Sequence, residues 1–207
     1  MPIFPEITAH ITAWTADIKT IADDRKGLLD QLVAYVRGCQ AESKAAKLTF
    51  ICTHNSRRSH LSQVWAKVMA DYYGVGNIET YSGGTEATAF HPNAIQALRS
   101  QGFSIETSDE TTNPHYQVSY GAEVPSLEAW SKVYNDARNP QVDYGAVMTC
   151  VEADEACPVV FGASARIALP FIDPKVSDGT PEQDTTYAAR SQHIATEMAY
   201  VFAQLAT

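Results

Sequence analysis

A cysteine and an arginine six residues apart, in Cys52-Thr-His-Asn-Ser-Arg-Arg58-Ser59, are the residue types that chemistry on a tetrahedral oxyanion requires. The thiolate is the nucleophile, and a free thiol titrates near ~8.5, so the surroundings must stabilise its charge. A polar loop that turns its backbone N–H groups inward and leads into a helix N-terminus supplies partial positive charge for the sulfur and for a bound anion. Thr53, His54, Asn55, Ser56, Arg57 and Arg58 are the residues of that cradle. Arg58 adds a planar fork that matches two oxygens of phosphate or arsenate, a geometry lysine cannot copy. Ser59 can donate a further hydrogen bond to the Cys52 sulfur. A Cys and an Arg at this spacing carry little weight alone, and gain it from what flanks them.

Those flanks read as a strand, a tight loop and a helix. Leu48-Thr-Phe-Ile51 is an apolar run of strand type, and Leu61, Val64, Trp65 and Val68 recur at helical spacing. Beyond residue 46 the alternation continues, with strands predicted near 47–52, 77–82, 143–150 and 165–170 and helices near 59–74, 91–101 and 184–206. The last helix shows the stripe Ile194, Met198, Val201 and Leu205, with Asp184 or Thr185 as its cap. The pattern predicts an α/β three-layer sandwich around a four-stranded parallel sheet, with the ligand at the carboxyl ends of the strands. Cys52, Cys150 and the segment before Asp173 all fall at such ends.

Residues 1–45 read as an N-terminal helical extension and residues 46–207 as the catalytic domain. Ile7, Ile11, Trp14, Ile18 and Ile21 repeat at helical spacing, and Leu28, Leu29, Leu32, Val33 and Val36 do so again after a polar break at Asp23–Gly27. Two helices that cover the core are expected, with a lid or a dimer contact as the sharper alternative. Residues 113–141 have Pro114, Pro125 and Pro140 as breaks and are expected to form a surface insertion with one short helix, Ser126 to Asn135.

The loop resembles that of the low-molecular-weight protein tyrosine phosphatases, and within that superfamily the thioredoxin-coupled arsenate reductases. Their loop reads Cys-x-Gly-Asn-x-Cys-Arg-Ser, and Cys52, Asn55, Arg58 and Ser59 fall on it, while His54 replaces the Gly and Arg57 the second Cys. Tyr81-Ser-Gly-Gly-Thr85 looks like the family's Ser-Ala-Gly-Thr segment, and His91-Pro-Asn-Ala-Ile-Gln-Ala-Leu98 like its Asn-Pro-x-Ala helix. By this resemblance Asp173-Pro174 is the acidic loop, with Asp173 as general acid and then general base. Val147-Met-Thr-Cys150 with Cys157-Pro158 is similar to the redox segment of the reductases. The resemblance implies that Cys52 attacks arsenate, that Cys150 attacks the Cys52 sulfur, and that Cys157 carries the disulfide outward to a thioredoxin-like dithiol. In one regular helix Cys150 and Cys157 would lie about 10.5 Å apart by rise, beyond the ~7 Å a disulfide tolerates, so the oxidised segment must unwind.

Arsenate reductase is the first expectation. The alternative is hydrolysis of phosphotyrosine or aryl phosphates through a Cys52 phosphoenzyme, and the weaker one a non-catalytic anion-binding module. Lys175-Val176 stands where the phosphatases often carry Tyr after Asp-Pro, which weighs against stacking of a phosphotyrosine ring. No metal or cofactor is expected, since His91 and His115 show no ligand spacing. The net charge of −9 argues against nucleic acid as a partner and leaves the loop to attract its anion locally. Four Cys in 207 residues suit reactive thiols in a reducing, cytoplasmic setting. No apolar run is long enough for membrane insertion, and Met1-Pro-Ile-Phe-Pro-Glu lacks the pattern of an export leader.

Overall fold

Six of the seven residues of β1 (Ala46–Cys52) are buried, which is the signature of a strand covered on both faces and paired on both edges. A computed structural model, describing residues 2–107, 109–156 and 159–206, places β1 in the interior of a four-stranded sheet. β2 (Ile78–Gly84) pairs with it on one side and β6 (Tyr144–Met148) on the other, and β7 (Ala163–Ala168) lies outside β6, all parallel. The register sets Cys52 opposite Gly84 and Ile51 opposite Gly83 and Met148, so the carboxyl ends of the three strands converge.

Alternation along the strands divides the interior in two. Leu48 and Phe50 of β1 and Val147 of β6 point into a large core, which they share with α3 (Arg58–Tyr72), α4 (Pro92–Arg99) and α6 (Gln183–Ala203). Ile51 with Tyr144, Ala146 and Met148 points into a smaller cluster on the other face, capped by Ala153 of the short helix α5 (Val151–Ala156) and by Tyr134. Cys52 and Cys150 both belong to this smaller cluster.

The N-terminal helices are present and joined to the large core. Ile7 and Ile11 of α1 (Pro5–Trp14) and Leu29, Leu32, Val33 and Val36 of α2 (Asp23–Ala41) are buried among the same residues as α3 and α6. The break between them differs from expectation. A 3₁₀ helix spans Thr15–Thr20, the chain turns at Ile21–Ala22, and Asp23–Gly27 forms the first turns of α2. Acidic residues there complement the helix N-terminus, so a polar stretch that reads as a turn is helical. α6 begins at Gln183 after Glu182, with no side-chain cap from Asp184 or Thr185.

Residues 126–135 contain no helix, contrary to expectation. Leu127–Ala129 is β5, the edge of an antiparallel sheet with β4 (Tyr116–Ser119) and β3 (Ser104–Glu106). Val118 opposite Leu127 and Tyr116 opposite Ala129 form pairs that outweigh the helix propensity of Leu-Glu-Ala. The chain then runs to the end of β2, where Gly84 and Val133 make a parallel bridge. Among the described residues, no helix is long and apolar enough to cross a membrane.

Candidate active site

The strand β1 delivers Cys52 to its carboxyl end, and residues 53–57 turn into α3, whose first residue is Arg58. What shapes the turn is the pairing of its carbonyls with neighbouring segments. Thr85 N donates to Cys52 O (3.1 Å), Glu86 N to Thr53 O (2.8 Å) and His91 N to Ser56 O (2.9 Å). The Ser131 hydroxyl donates to His54 O at 2.9 Å. With these carbonyls held outward, the amides of Thr53 through Arg57 donate to no other group among the described residues. Free backbone N–H groups in a turn at a helix N-terminus can serve as an anion cradle.

Two residues make the turn geometrically possible. Asn55 adopts φ +44°, a left-handed conformation that Asn tolerates better than most residues. Its side chain is fixed at both ends: Oδ1 accepts from Lys132 N (2.9 Å) and Nδ2 donates to Ser59 Oγ (2.9 Å). Gly84 backs the turn so closely that a Cβ there would stand 2.7 Å from both Asn55 N and Thr53 O. His54, standing where the family loop carries Gly, does not occupy the left-handed region.

Cys52 is buried, and its Sγ lies 3.1 Å from Ser59 Oγ. Asn55 donates to that hydroxyl oxygen, and the Ser59 hydrogen is free to point at a Cys52 thiolate. The Arg58 guanidinium is only 9% exposed and spans the cleft: Nη2 is 2.9 Å from Asp173 Oδ2, and Nη1 donates to Phe171 O at 3.1 Å. Glu152 of α5 stands 3.7 Å from the same Nη1. Asp173 precedes a short 3₁₀ helix, Pro174–Ser177, and accepts from Lys175 N.

Cys150 lies just beyond β6, fully buried, with its Sγ 3.5 Å from the hydroxyl of Thr53 and 3.3 Å from Ala153 N, which donates to it. Thr149 holds this segment against the loop strand through two bonds to Ile51 O, from N at 2.7 Å and from Oγ1 at 2.9 Å. Burial pushes the Cys150 thiol up, against the hydrogen bonds from Thr53 and Ala153. Cys157 lies outside the described residues.

Cys52, Asn55, Arg58, Ser59, Cys150 and Asp173 thus meet in one place, whereas the Arg57 side chain is engaged elsewhere. Its Nε donates to Tyr187 OH at 2.6 Å and its Nη2 pairs with Asp178 at 3.1 Å. Burial alone would raise the Asp178 carboxyl, but the Tyr187 hydroxyl and Arg57 hold it below its ordinary range. Cys39 is on α2, away from these residues in the fold. Sequence reasoning did not single out Ser131 and Lys132, which hold the loop from the far side. Burial lowers the Lys132 ammonium to about 8, and Nζ sits 4.0 Å over the Trp130 ring.

Residues 47–117 match the family model described as low molecular weight phosphotyrosine protein phosphatase. An arsenate reductase of Bacillus licheniformis is 28% identical over 145 residues, covering 68% of this chain and 83% of that protein. An arsenate reductase of Bacillus subtilis is 29% identical over 143 residues, with the same two coverages, 68% and 83%. Among solved structures, a low molecular weight protein tyrosine phosphatase from T. tengcongensis superposes with a TM-score of 0.52 at 12% identity, over 77% of this chain and 99% of that one. The solution structure of one from Bacillus subtilis also gives 0.52, at 16% identity, over 77% and 96%. Part of the chain thus resembles the low molecular weight phosphotyrosine protein phosphatases, about two thirds of it is similar to bacterial arsenate reductases, and the fold is that of the low molecular weight tyrosine phosphatases.

Proposed function

We propose that this protein reduces arsenate through a thiol relay. Cys52 attacks arsenate held by the loop amides and Arg58, displacing one oxygen as water and forming a sulfur–arsenic bond. Cys150 then attacks the Cys52 sulfur. The sulfur–arsenic electron pair leaves with arsenic as arsenite, and a Cys52–Cys150 disulfide takes its place. Cys157 attacks Cys150, restores the Cys52 thiolate, and presents a Cys150–Cys157 disulfide to a thioredoxin-like dithiol, which supplies the two electrons.

The single observation that carries this reading is the burial of Cys150 beside Thr53, in the same apolar cluster as Cys52. A structural thiol needs no such position, whereas a resolving thiol needs access to the nucleophile's sulfur. The curated homologues named arsenate reductase support it as well.

The second reading, phosphate monoester hydrolysis, is favoured by Asp173 standing beside Arg58 at 2.9 Å with its side chain 30% exposed, which places a carboxyl group next to the loop's guanidinium and open to a substrate. It needs Cys52, Arg58 and Asp173 but neither Cys150 nor Cys157. A Cys157→Ser variant assayed both ways separates the two. Under the relay, arsenate turnover with a dithiol partner stops after one cycle and aryl phosphate hydrolysis persists. Unchanged multiple turnover removes the relay. Cys52→Ser abolishes both activities, and survival of either identifies a different nucleophile.

A further inference from the structure

A cavity of about 660 Å³ opens beside the acidic loop, walled by residues of the N-terminal extension and of α6 and floored by Pro170, Phe171 and Ile172. That size suits a small molecule. The floor leads directly into the proposed site: Phe171 O accepts from Arg58, and Asp173 follows Ile172, whose side chain is exposed. Ile21 and Ala22, at the turn between the 3₁₀ segment and α2, face this floor across the cavity.

The charges on the walls are not all matched. Arg25 is spent on Glu197, with two bonds of 2.7 Å, and its guanidinium lies over the Phe171 ring. His193 uses Nε2 on the same carboxylate at 3.0 Å, which leaves Nδ1 to accept from Arg190 Nη1 at 2.7 Å. Arg190 consequently donates to a neutral ring nitrogen. It forms no ion pair among the described residues, and its Nε is buried without an acceptor. Asp17 accepts from Gln192 at 3.4 Å.

A half-buried guanidinium with no ion-pair partner among the described residues, beside an apolar floor, suits an anion with an apolar body. We propose that this cavity binds a small aromatic carboxylate, its charge on Arg190 and its ring between Ile21, Ala22 and Phe171. The site is separate from the oxyanion loop and independent of which reaction the loop performs.

Benzoate, titrated calorimetrically into the full-length protein with phosphate in excess to fill the loop, tests this. The expected result is saturable binding that phosphate does not displace, with benzyl alcohol weaker by roughly tenfold or more because it lacks the charge. Arg190→Gln should weaken benzoate by a similar factor. Ala22→Phe, at an exposed position, should block the cavity without touching Arg190 and decides the matter if Arg190→Gln does not fold. Absence of saturable binding, displacement by phosphate, or benzoate affinity retained in Ala22→Phe would each overturn the proposal.

Discussion

Arg58 and Asp173 form an ion pair, with 2.9 Å between Nη2 and Oδ2, that ties the first residue of the loop helix to the acidic loop. The second nitrogen of the same fork holds Phe171 O, so one guanidinium fixes where the carboxylate stands. Lysine at 58 would keep the charge and lose the fork. Arg58→Lys is therefore expected to cost about 10²–10³-fold in kcat/KM for both arsenate and aryl phosphate, on the scale of losing an oriented charge-stabilising donor. Asp173→Asn should cost about 10²–10⁴-fold on phenyl phosphate, whose leaving group needs a proton, and far less on 4-nitrophenyl phosphate. Equal losses on the two esters would remove Asp173 as the acid.

Cys150 gives a pH signature. Its thiol is pushed up by burial, so its thiolate fraction is small at neutral pH and grows as pH rises through and above the ordinary thiol range. If its attack on Cys52 limits turnover, arsenate reduction accelerates from neutral to alkaline pH. Aryl phosphate hydrolysis, which does not use Cys150, lacks that rise. Stopped-flow rates of Cys52–Cys150 disulfide formation across this range check it, and parallel profiles for both reactions would speak against the assignment.

Much of this site is legible in the chain because its chemistry lies in contiguous residues. Cys52 to Ser59 sits between a buried apolar run and a helix whose Leu61, Val64, Trp65 and Val68 recur at helical spacing. What supports the loop from behind is not legible. Lys132 N reaches Asn55 from 77 residues away, out of a segment with no usable period, and β4 and β5 are too short to show alternation. Asp23 to Gly27 misleads because acidic residues and glycine read as a turn, although the same acids suit a helix start. The two inner strands, β1 and β6, are legible because burial on both faces makes them nearly continuous apolar runs.

Arg57 illustrates a residue whose type suggests one role and whose contacts suggest another. Read by type, it attracts the oxyanion; by contact, it braces Tyr187 and Asp178. Arg57→Met is expected to lower stability by about 1–3 kcal/mol, the scale of hydrogen bonds to charged groups, and to leave the KM for arsenate little changed. Thermal melting and steady-state kinetics on the same preparation distinguish the two roles, since loss of an anion ligand raises KM without lowering Tm.

The N-terminal extension is joined to α6 by Arg25 and Glu197, and Glu197 is 1% exposed. Burial opposes ionisation of that carboxyl, yet His193 and Arg25 together hold it below its ordinary range. Arg25→Met leaves a buried carboxylate with half its partners and should cost about 3–5 kcal/mol at neutral pH. A folded pKa below the unfolded one means that the stabilisation is present above the unfolded value and is lost as pH falls through the folded one. The gap between Arg25→Met and the parent protein should therefore narrow in acid, as urea denaturation across that range would record.

Lys132 has the opposite sign. Its ammonium is buried and lowered to about 8, against the attraction of Asp136 and Glu128. In the unfolded chain a lysine titrates near ~10.4, and each pH unit of difference is worth about 1.4 kcal/mol. Below pH 8 the group is protonated in both states, and the folded protein bears the whole cost of burying the charge, about 3 kcal/mol. Between pH 8 and about 10.4 the folded protein releases its proton first, and that cost is withdrawn as pH rises. Lys132→Met keeps the packing over Trp130 while removing the titration, and leaves the backbone N–H that holds Asn55 in place. The variant should be most stabilised relative to the parent at neutral pH, with the advantage shrinking through that alkaline window. A stability difference independent of pH would mean that the ammonium is not desolvated in the folded protein.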